Sequence, residues 1–272
     1  MTFDEYLQRL GVRNGDHLLL HAAFRKIRAA FPQLGIEGLI SQIQRVITRE
    51  GSLIIPSFSY CFQKAADTRS DPRVERFDRT RSNSRVGAVS DWFWRQPEVV
   101  RTSSATHSFA IWGRVTASIP VSNAPTSPLG EGSVLEWLAE QTQAKVLMLG
   151  TDFRAFTFGH YLEVKAPVPW ADVSPWDHLG VQKFGLTLQG EQPLRELPGC
   201  ARSFPVLEKY LLTAGLIHPL RVNGLLSYCI PIAEMYREAL EYFRNHPLEL
   251  LCPAGSCPAC DERRRWYIST HS

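Results

Sequence analysis

The sequence predicts an α/β fold, and three stretches carry that prediction. Residues 17–21 and 53–56 are short apolar runs with the length and composition of buried strands. Between them, residues 35–50 have apolar side chains three or four positions apart, as an amphipathic helix does. A third apolar run, residues 146–149, ends at Gly150 and predicts another strand that is buried on both faces. A strand–helix–strand order of this kind is typical of α/β domains.

The remaining elements follow in chain order. Thr2 and Glu5 form a capping-box pattern that predicts a short helix over residues 2–10. Residues 84–94 predict a helix that ends before Pro97, and residues 99–101 begin a strand. Ser133 and Glu136 repeat the capping pattern before a helix over residues 134–141, and helical spacing returns at 231–245.

Two stretches look irregular. Residues 63–83 are polar and charged and predict a long surface loop that could act as a lid. Residues 164–200 alternate short apolar runs with proline and glycine, which predicts a small antiparallel sheet or lid inserted in the domain. We therefore expect one domain over residues 1–245, followed by a cysteine-containing tail over residues 246–272.

Composition narrows the class of protein. The chain has 272 residues, 44% hydrophobic and 21% charged, which is ordinary for a globular protein. A net charge of +3 is too small and dispersed to predict nucleic-acid binding, and no apolar run is long enough to predict a membrane span. The first residues are acidic and helical in pattern, unlike a signal peptide, so we expect a cytoplasmic protein without a regular disulfide framework.

The strongest candidate for chemistry follows the strand at 146–149. Thr157 is in position to cap a helix, which places His160 in the first turn and Glu163 one turn further on. Residues three apart lie on one helix face, so an imidazole and a carboxylate would point the same way. Ligands of α/β proteins bind at loops that follow parallel strands. The sequence therefore predicts a catalytic pair here.

Two other loops could contribute to the same edge of the sheet. Residues 22–28 place two alanines before three cations, a pattern that suits phosphate binding, although a solvated basic loop is the alternative. Residues 102–110 are dense in hydroxyl groups around His107.

Taken together, these stretches resemble the aminoglycoside 3-N-acetyltransferase family. The matching pieces lie in the family's order and spacing over about residues 1–245: H-A-A-F-R at 21–25, P-S-F-S at 56–59, S-R-V-G-A-V-S at 84–90, residues 101–109, S-P-L-G-E-G-S at 127–133, and T-x-x-H-x-x-E at 157–163. The resemblance implies a mixed sheet sandwiched by helices, a homodimer, and acetyl transfer from acetyl-CoA to a primary amine.

The resemblance also implies roles for single residues. His160 and Glu163 match the family's catalytic pair, with His107 on the facing loop, while Thr157 and Ser108 offer donors to a tetrahedral intermediate. The expected coenzyme-binding residues are His21, Ala22, Ala23, Phe24 and Arg25 in the first loop, and Arg101, Ser108 and Phe109 in the second. A neutral histidine near a helix N-terminus suits a general base that deprotonates the amine for direct attack.

The chain departs from the family in places that keep other functions open. Ala22 and Ala23 stand where serines are usual, and Ser104 and Ala105 stand where a histidine and a proline are usual. A catalytically idle scaffold that binds CoA and a transferase that uses another acyl donor are the alternatives. Arginines and acidic residues mix in the 63–83 loop. This mixture suits a smaller or partly anionic amine, such as a nucleotide-linked amino sugar or a biosynthetic intermediate, at least as well as an aminoglycoside.

The tail carries a separate pattern. Cys252, Cys257 and Cys260 could bind zinc with His246 or His271 as the fourth ligand, although a mobile tail with free thiols is the favoured interpretation.

Overall fold

The computed structural model describes residues 1–65, 74–122 and 125–271. Its strands are β1 His17–Ala22, β2 Ser52–Pro56, β3 Phe62–Lys64, β4 Val100–Arg101, β5 Phe109–Gly113, β6 Ala144–Leu149, β7 Val181–Thr187, β8 Gly190–Pro193, β9 Leu220–Val222 and β10 Leu225–Pro231. Its helices are α1 Phe3–Leu10, α2 Phe24–Ala30, α3 Ile36–Ile47, α4 Ala88–Phe93, α5 Val115–Ser118, α6 Val134–Ala139, α7 Phe158–Lys165, α8 Pro205–Thr213, α9 Ile232–Asn245 and α10 Pro258–His271. The predicted loop residues Asp67, Arg69, Asp71 and Arg73, and the side chain of His271, lie outside this description.

A seven-stranded mixed sheet forms the centre, in the order β4-β5-β2-β1-β6-β10-β9. β1 is parallel to both β2 and β6, with Leu19 opposite Ile54 on one side and opposite Val146 on the other. β5 and β10 add to these strands in the antiparallel direction. The mixed sheet expected from the resemblance is confirmed.

Side chains alternate between two cores, one on each face of this sheet. Leu19, Val146 and Met148 point into the core that α6 to α10 cover. Leu18 and Leu147 point into the opposite core beneath α1, α3 and α4. Alternation with a period of two is intrinsic to a strand, so an uninterrupted apolar run is what a strand covered on both faces requires.

The parallel strands bring the candidate loops to one edge. The chain leaves β1 at Ala23, leaves β2 at Ser57 and leaves β6 at Gly150, all at the carboxyl edge of the sheet. Because β4 and β5 are antiparallel, the loop between Arg101 and Phe109 turns at the same edge. Gly150 has a φ of +71°, and a Cβ there would lie 2.8 Å from Leu225 Cδ1, so this close crossing needs glycine.

A second sheet of three antiparallel strands, β3-β7-β8, lies over the 101–109 loop. Gln192 Oε1 on β8 accepts a hydrogen bond of 3.0 Å from Ala105 N. The small antiparallel sheet predicted within residues 164–200 is present, and residues 62–64 supply its third strand.

Several predictions need correction. β5 and β10 were not predicted as strands, and α4 begins at Ala88 rather than near residue 84. Glu136 accepts from Gly132 N rather than from the backbone of Ser133, so only the Ser133 half of that capping box forms. By contrast, the box of Thr2 and Glu5 is complete.

The cysteine-containing tail packs into the main core of the domain. Leu250, Leu251 and Cys260 are buried in the same core as Met148 and Phe204. The tail therefore covers one face of the central sheet. Within the described residues, no helix has the length and apolar character needed to cross a membrane.

Candidate active site

His160 and Glu163 form a close pair on α7. His160 Nδ1 lies 2.8 Å from Glu163 Oε2, and their side chains are 13% and 9% exposed. An ionised carboxylate can only accept, so Nδ1 is the donor in this contact, and a neutral ring then keeps its lone pair on Nε2. The carboxylate thus holds the imidazole ring in one orientation.

The helix start differs in detail from the prediction. His160 does lie in the first turn, where its N–H donates to Thr157 O at 3.0 Å. Thr157, however, already has helical backbone angles and its side chain makes no capping hydrogen bond. Its expected role as a cap is wrong, and its hydroxyl, which belongs to a residue lining the cavity beside His160, is available to a ligand.

Arg263, which the sequence did not single out, holds the other side of Glu163. Its Nη1 lies 3.5 Å from Glu163 Oε1, and Nη2 and Nε donate to Leu197 O and Val173 O at 3.2 and 3.4 Å. The side chain is 5% exposed, and burial lowers the pKa of Arg263 while Glu163 opposes that shift. A carboxylate between an imidazole and a guanidinium has both oxygens occupied and cannot turn away from His160.

His160 borders two cavities. The first cavity, of about 500 Å³, runs from His21 and Ala22 after β1, past Phe58 and Thr157, to His160 and Cys200. The second cavity, of about 250 Å³, lies beside Glu163, Glu196 and Arg263. Two small molecules, one in each cavity, could meet at the imidazole.

An open groove extends the first cavity to the surface. Ala22 and Gly87 line both spaces, and Phe24, Arg25 and Arg28 line the groove beyond them. Ala23, also predicted to bind the coenzyme, donates its N–H to Leu149 O at 2.9 Å and so shapes the turn after β1. The first cavity and the groove together form one channel, which His21, Ala22, Phe24 and Arg25 of the first predicted coenzyme segment line.

The second predicted coenzyme segment is occupied by internal contacts. The Arg101 guanidinium is 2% exposed and donates to Ser108 Oγ at 3.0 Å and to Ser57 O at 2.7 Å, and also to Ser82 O. Ser108 Oγ itself donates to Ser57 O, and Phe109 is a core residue of β5. These contacts tie Arg101, Ser108 and Phe109 into the loops and the core, and their predicted contact with the coenzyme stays a prediction.

His107 lies within an aromatic cluster next to the first cavity. Its ring is 4.7 Å from Phe58 and 5.5 Å from Tyr60, and Nδ1 lies 2.9 Å from Thr106 Oγ1. Burial, and secondarily the charge of His160, lowers the pKa of His107 to about 3. A ring that stays neutral and packed supports the cavity wall. Ser104, one of the departures from the family, accepts from His107 N at 3.1 Å and fixes this turn.

His21 is the other buried histidine. It is 8% exposed, burial lowers its pKa to about 3, and its Nε2 has no hydrogen-bond partner among the described residues. An unpaired polar nitrogen at a cavity wall is costly unless a ligand or water meets it. The atom itself is buried behind the cavity wall, so His21 contributes to the wall as a neutral ring.

The second cavity is acidic. Besides His160, its ionisable lining consists of four carboxylates and two guanidinium groups: Glu131, Glu163, Asp172, Glu196, Arg195 and Arg263. Arg195 pairs with Glu131, and Arg263 with Glu163, which leaves Asp172 and Glu196 as the excess negative charge. Burial raises the pKa of Glu196 even though Ser127 and Leu129 donate to it. The cavity suits a ligand with positive charge.

Comparisons with known proteins agree with this geometry. The sequence profile of the family described as aminoglycoside 3-N-acetyltransferase matches residues 19–244. Aminoglycoside N(3)-acetyltransferase IV of Salmonella sp. is 28% identical over 251 residues, 91% of this chain and 88% of that protein. The apoenzyme structure of aminoglycoside acetyltransferase AAC(3)-IVa has a TM-score of 0.76 at 28% identity, covering 96% of this chain and 95% of that one. A structure of AAC-IIIb with CoASH has a TM-score of 0.70 at 19% identity, covering 89% and 94%, and bears on the fold alone.

The profile spans most of the chain, and the AAC(3)-IVa structure shares its fold over almost the whole length. The protein belongs to the aminoglycoside 3-N-acetyltransferase family and is an acyltransferase that acts on nitrogen.

Proposed function

We propose that this enzyme transfers the acetyl group of acetyl-CoA to a primary amine of an aminoglycoside, with His160 as general base. The observation that carries the proposal is the 2.8 Å contact of His160 Nδ1 with Glu163 at the junction of two cavities. The likeness to AAC(3)-IVa supports the acceptor, because a histidine-to-alanine variant of that enzyme is in complex with a gentamicin in a structure with TM-score 0.74 and 28% identity.

The channel from the entry groove to the first cavity is the proposed coenzyme site. Arg25 and Arg28 line the groove and would pair with the coenzyme's phosphates, which lie at the end of the molecule remote from the thioester. The pantetheine arm would follow the first cavity past His21 and Ala22 to Thr157 and His160.

The second cavity is the proposed acceptor site. Its excess of carboxylates over guanidinium groups favours a polycationic amine over the smaller or partly anionic amino sugar that the sequence favoured. Asp172 is exposed at this cavity and is free to pair with an ammonium group. Acetylation of a drug amine in this way would give resistance to the drug. The cytoplasmic location and the homodimer stay predictions.

The proposed step is direct attack. His160 Nε2 takes a proton from the amine, the amine nitrogen bonds to the thioester carbonyl carbon, and the resulting imidazolium is stabilised by the Glu163 carboxylate. The Thr157 hydroxyl, at the wall of the first cavity, is the proposed donor to the oxyanion. The carbon–sulfur bond then breaks, the thiolate takes the proton from His160, and amide and free thiol leave.

Thiol release from acetyl-CoA with gentamicin, apramycin and a simple amino sugar tests the proposal. We expect release with the aminoglycosides and a fall of about 10²–10⁴-fold in kcat/KM for His160→Ala, the range of general-base contributions. The matched control is His246→Ala, because His246 makes the same i,i+3 contact with Glu249 at 3.2 Å but on the surface. Wild type that binds CoA but releases thiol only at the background rate of His160→Ala with every acceptor would be an idle scaffold. Rapid and equal release by both proteins would exclude His160 as the base, and release only with another acyl-CoA would show that the acyl donor is not acetyl-CoA.

A further inference from the structure

Four cysteines from two distant parts of the chain meet at one point beside the active site. Cys252, Cys257 and Cys260 come from the tail, and Cys200 precedes the short turn Ala201–Ser203. Their sulfur atoms all lie within 4.8 Å of one another. The sequence pattern had suggested a histidine as fourth ligand, but His246 instead pairs with Glu249, and Cys200 completes the group.

The spacing of the sulfurs fits a tetrahedral metal and not a disulfide. Cys200 Sγ and Cys252 Sγ are 3.7 Å apart. Sulfurs about 2.3 Å from a central zinc lie about 3.8 Å from each other, whereas a disulfide joins them at about 2.05 Å. All four thiols are free.

The surroundings suit thiolates bound to a cation. Arg202 N donates to Cys200 Sγ at 3.4 Å, the kind of N–H···S contact that orients and stabilises a metal thiolate. Cys252, Cys257 and Cys260 are buried and belong to the main core, so little water reaches the cluster. A set of four sulfurs without an open position is typical of structural zinc.

We propose that Cys200, Cys252, Cys257 and Cys260 bind a structural zinc ion that fixes α10 to the 196–204 segment. On binding, each thiol loses its proton and the ion closes a tetrahedral S₄ site. Such an ion would stabilise the fold whatever the substrate or the reaction of the enzyme.

The position of the site gives the ion a consequence for the catalytic pair. Arg263 lies one turn after Cys260 on α10, and it packs so closely on Gly199 that a Cβ there would collide with the guanidinium. Phe204, at the other end of the short turn, lies 5.2 Å from the His160 ring. The ion therefore anchors both the guanidinium that holds Glu163 and the ring that packs on His160.

Metal analysis of the full-length protein, purified without a metal-binding tag, tests the site. We expect about one zinc ion per chain, lost in Cys252→Ser and Cys260→Ser. Cys229→Ser is the matched control because Cys229 is a free cysteine on β10 outside the cluster, and it should keep its zinc. Removal of zinc by a chelator should lower the Tm of wild type, and added zinc should restore it.

A cobalt exchange covers the case in which the cysteine variants do not fold. Wild type loaded with Co²⁺ should show the intense visible bands and thiolate charge-transfer absorption of tetrahedral sulfur ligation. Each of four results would overturn the proposal. These are four rapidly reactive thiols without bound metal, iron bound in place of zinc, an intact mass that is lower by four hydrogens because of two disulfides, and zinc retained by both cysteine variants.

Discussion

The carboxylate of Glu163 should matter mainly through the proton of His160, and Glu163→Gln isolates that effect. The substitution keeps the size of the side chain but removes its charge. In the wild type, Glu163 Oε2 lies 2.8 Å from His160 Nδ1, and Oε1 lies 3.5 Å from Arg263 Nη1. An amide has only one oxygen. If that oxygen turns to Arg263, its NH₂ faces Nδ1, which must then accept, and the proton moves to Nε2, where it blocks the base.

The size of the effect follows from these contacts. A hydrogen bond to a charged group contributes about 1.5–3 kcal/mol, which corresponds to about a 10- to 150-fold loss in kcat/KM if it is made only in the transition state. A change of tautomer adds to this and could bring the loss to about 10⁴-fold, as in the serine-protease triad. Thiol release measured over a range of gentamicin concentrations, with the Tm as a check on folding, gives the loss.

A double substitution separates this account from a general disturbance. His160→Ala/Glu163→Gln should be no slower than His160→Ala alone, because Glu163 acts through the imidazole and the two residues work as one unit. Glu249→Gln on the exposed pair is the control. Losses that multiply in the double variant, or a Glu163→Gln enzyme within about twofold of wild type, would refute the reasoning.

Other predictions concern binding and pH. Arg25→Ala should raise the KM for acetyl-CoA about 5- to 10-fold through loss of a phosphate contact while leaving the KM for gentamicin unchanged; an unchanged KM for acetyl-CoA would exclude the groove. Asp172→Asn should raise the KM for gentamicin about two- to fivefold in steady-state assays while leaving the KM for acetyl-CoA unchanged. Because burial lowers the pKa of both His21 and His107 to about 3, the unfolded chain binds protons first as the pH falls. These two histidines should therefore lower the free energy of unfolding by about 3 kcal/mol between pH ~7.5 and ~5.5, measured in urea titrations. In His107→Phe the drop should be about half as large. A free energy of unfolding that stays level or rises would contradict the burial argument.

The central strands could be predicted from the sequence because burial on both faces leaves an unbroken apolar run. Residues 17–21 and 146–149 gave that signal, and both became neighbours in the sheet. β10 gave none, since Ser227 and Cys229 interrupt its apolar residues and it was not recognised as a strand. β5 was hidden because its first residue, Phe109, follows a run of hydroxyl side chains. Edge and antiparallel strands depend on their partners more than on their own composition.

The contact between His160 and Glu163 could be predicted because i and i+3 on a helix are local neighbours. The residues that support this pair could not be predicted. Arg263 and Cys200 contact their partners only through the fold, and Cys200 is 52 residues from Cys252. The burial of Arg101 could not be predicted for a similar reason, since a cation beside hydroxyl groups gives the same sequence pattern whether it faces a ligand or is buried among backbone carbonyls. A single sequence carries no signal that separates these cases.

The most direct test of the account is the tautomer of His160, observed by ¹⁵N NMR of histidine-labelled protein near neutral pH and assigned by its loss in His160→Ala. The account predicts a ring that carries its proton on Nδ1, hydrogen-bonded to Glu163, with Nε2 bare and able to take a proton from the amine. A proton fixed on Nε2 would contradict it.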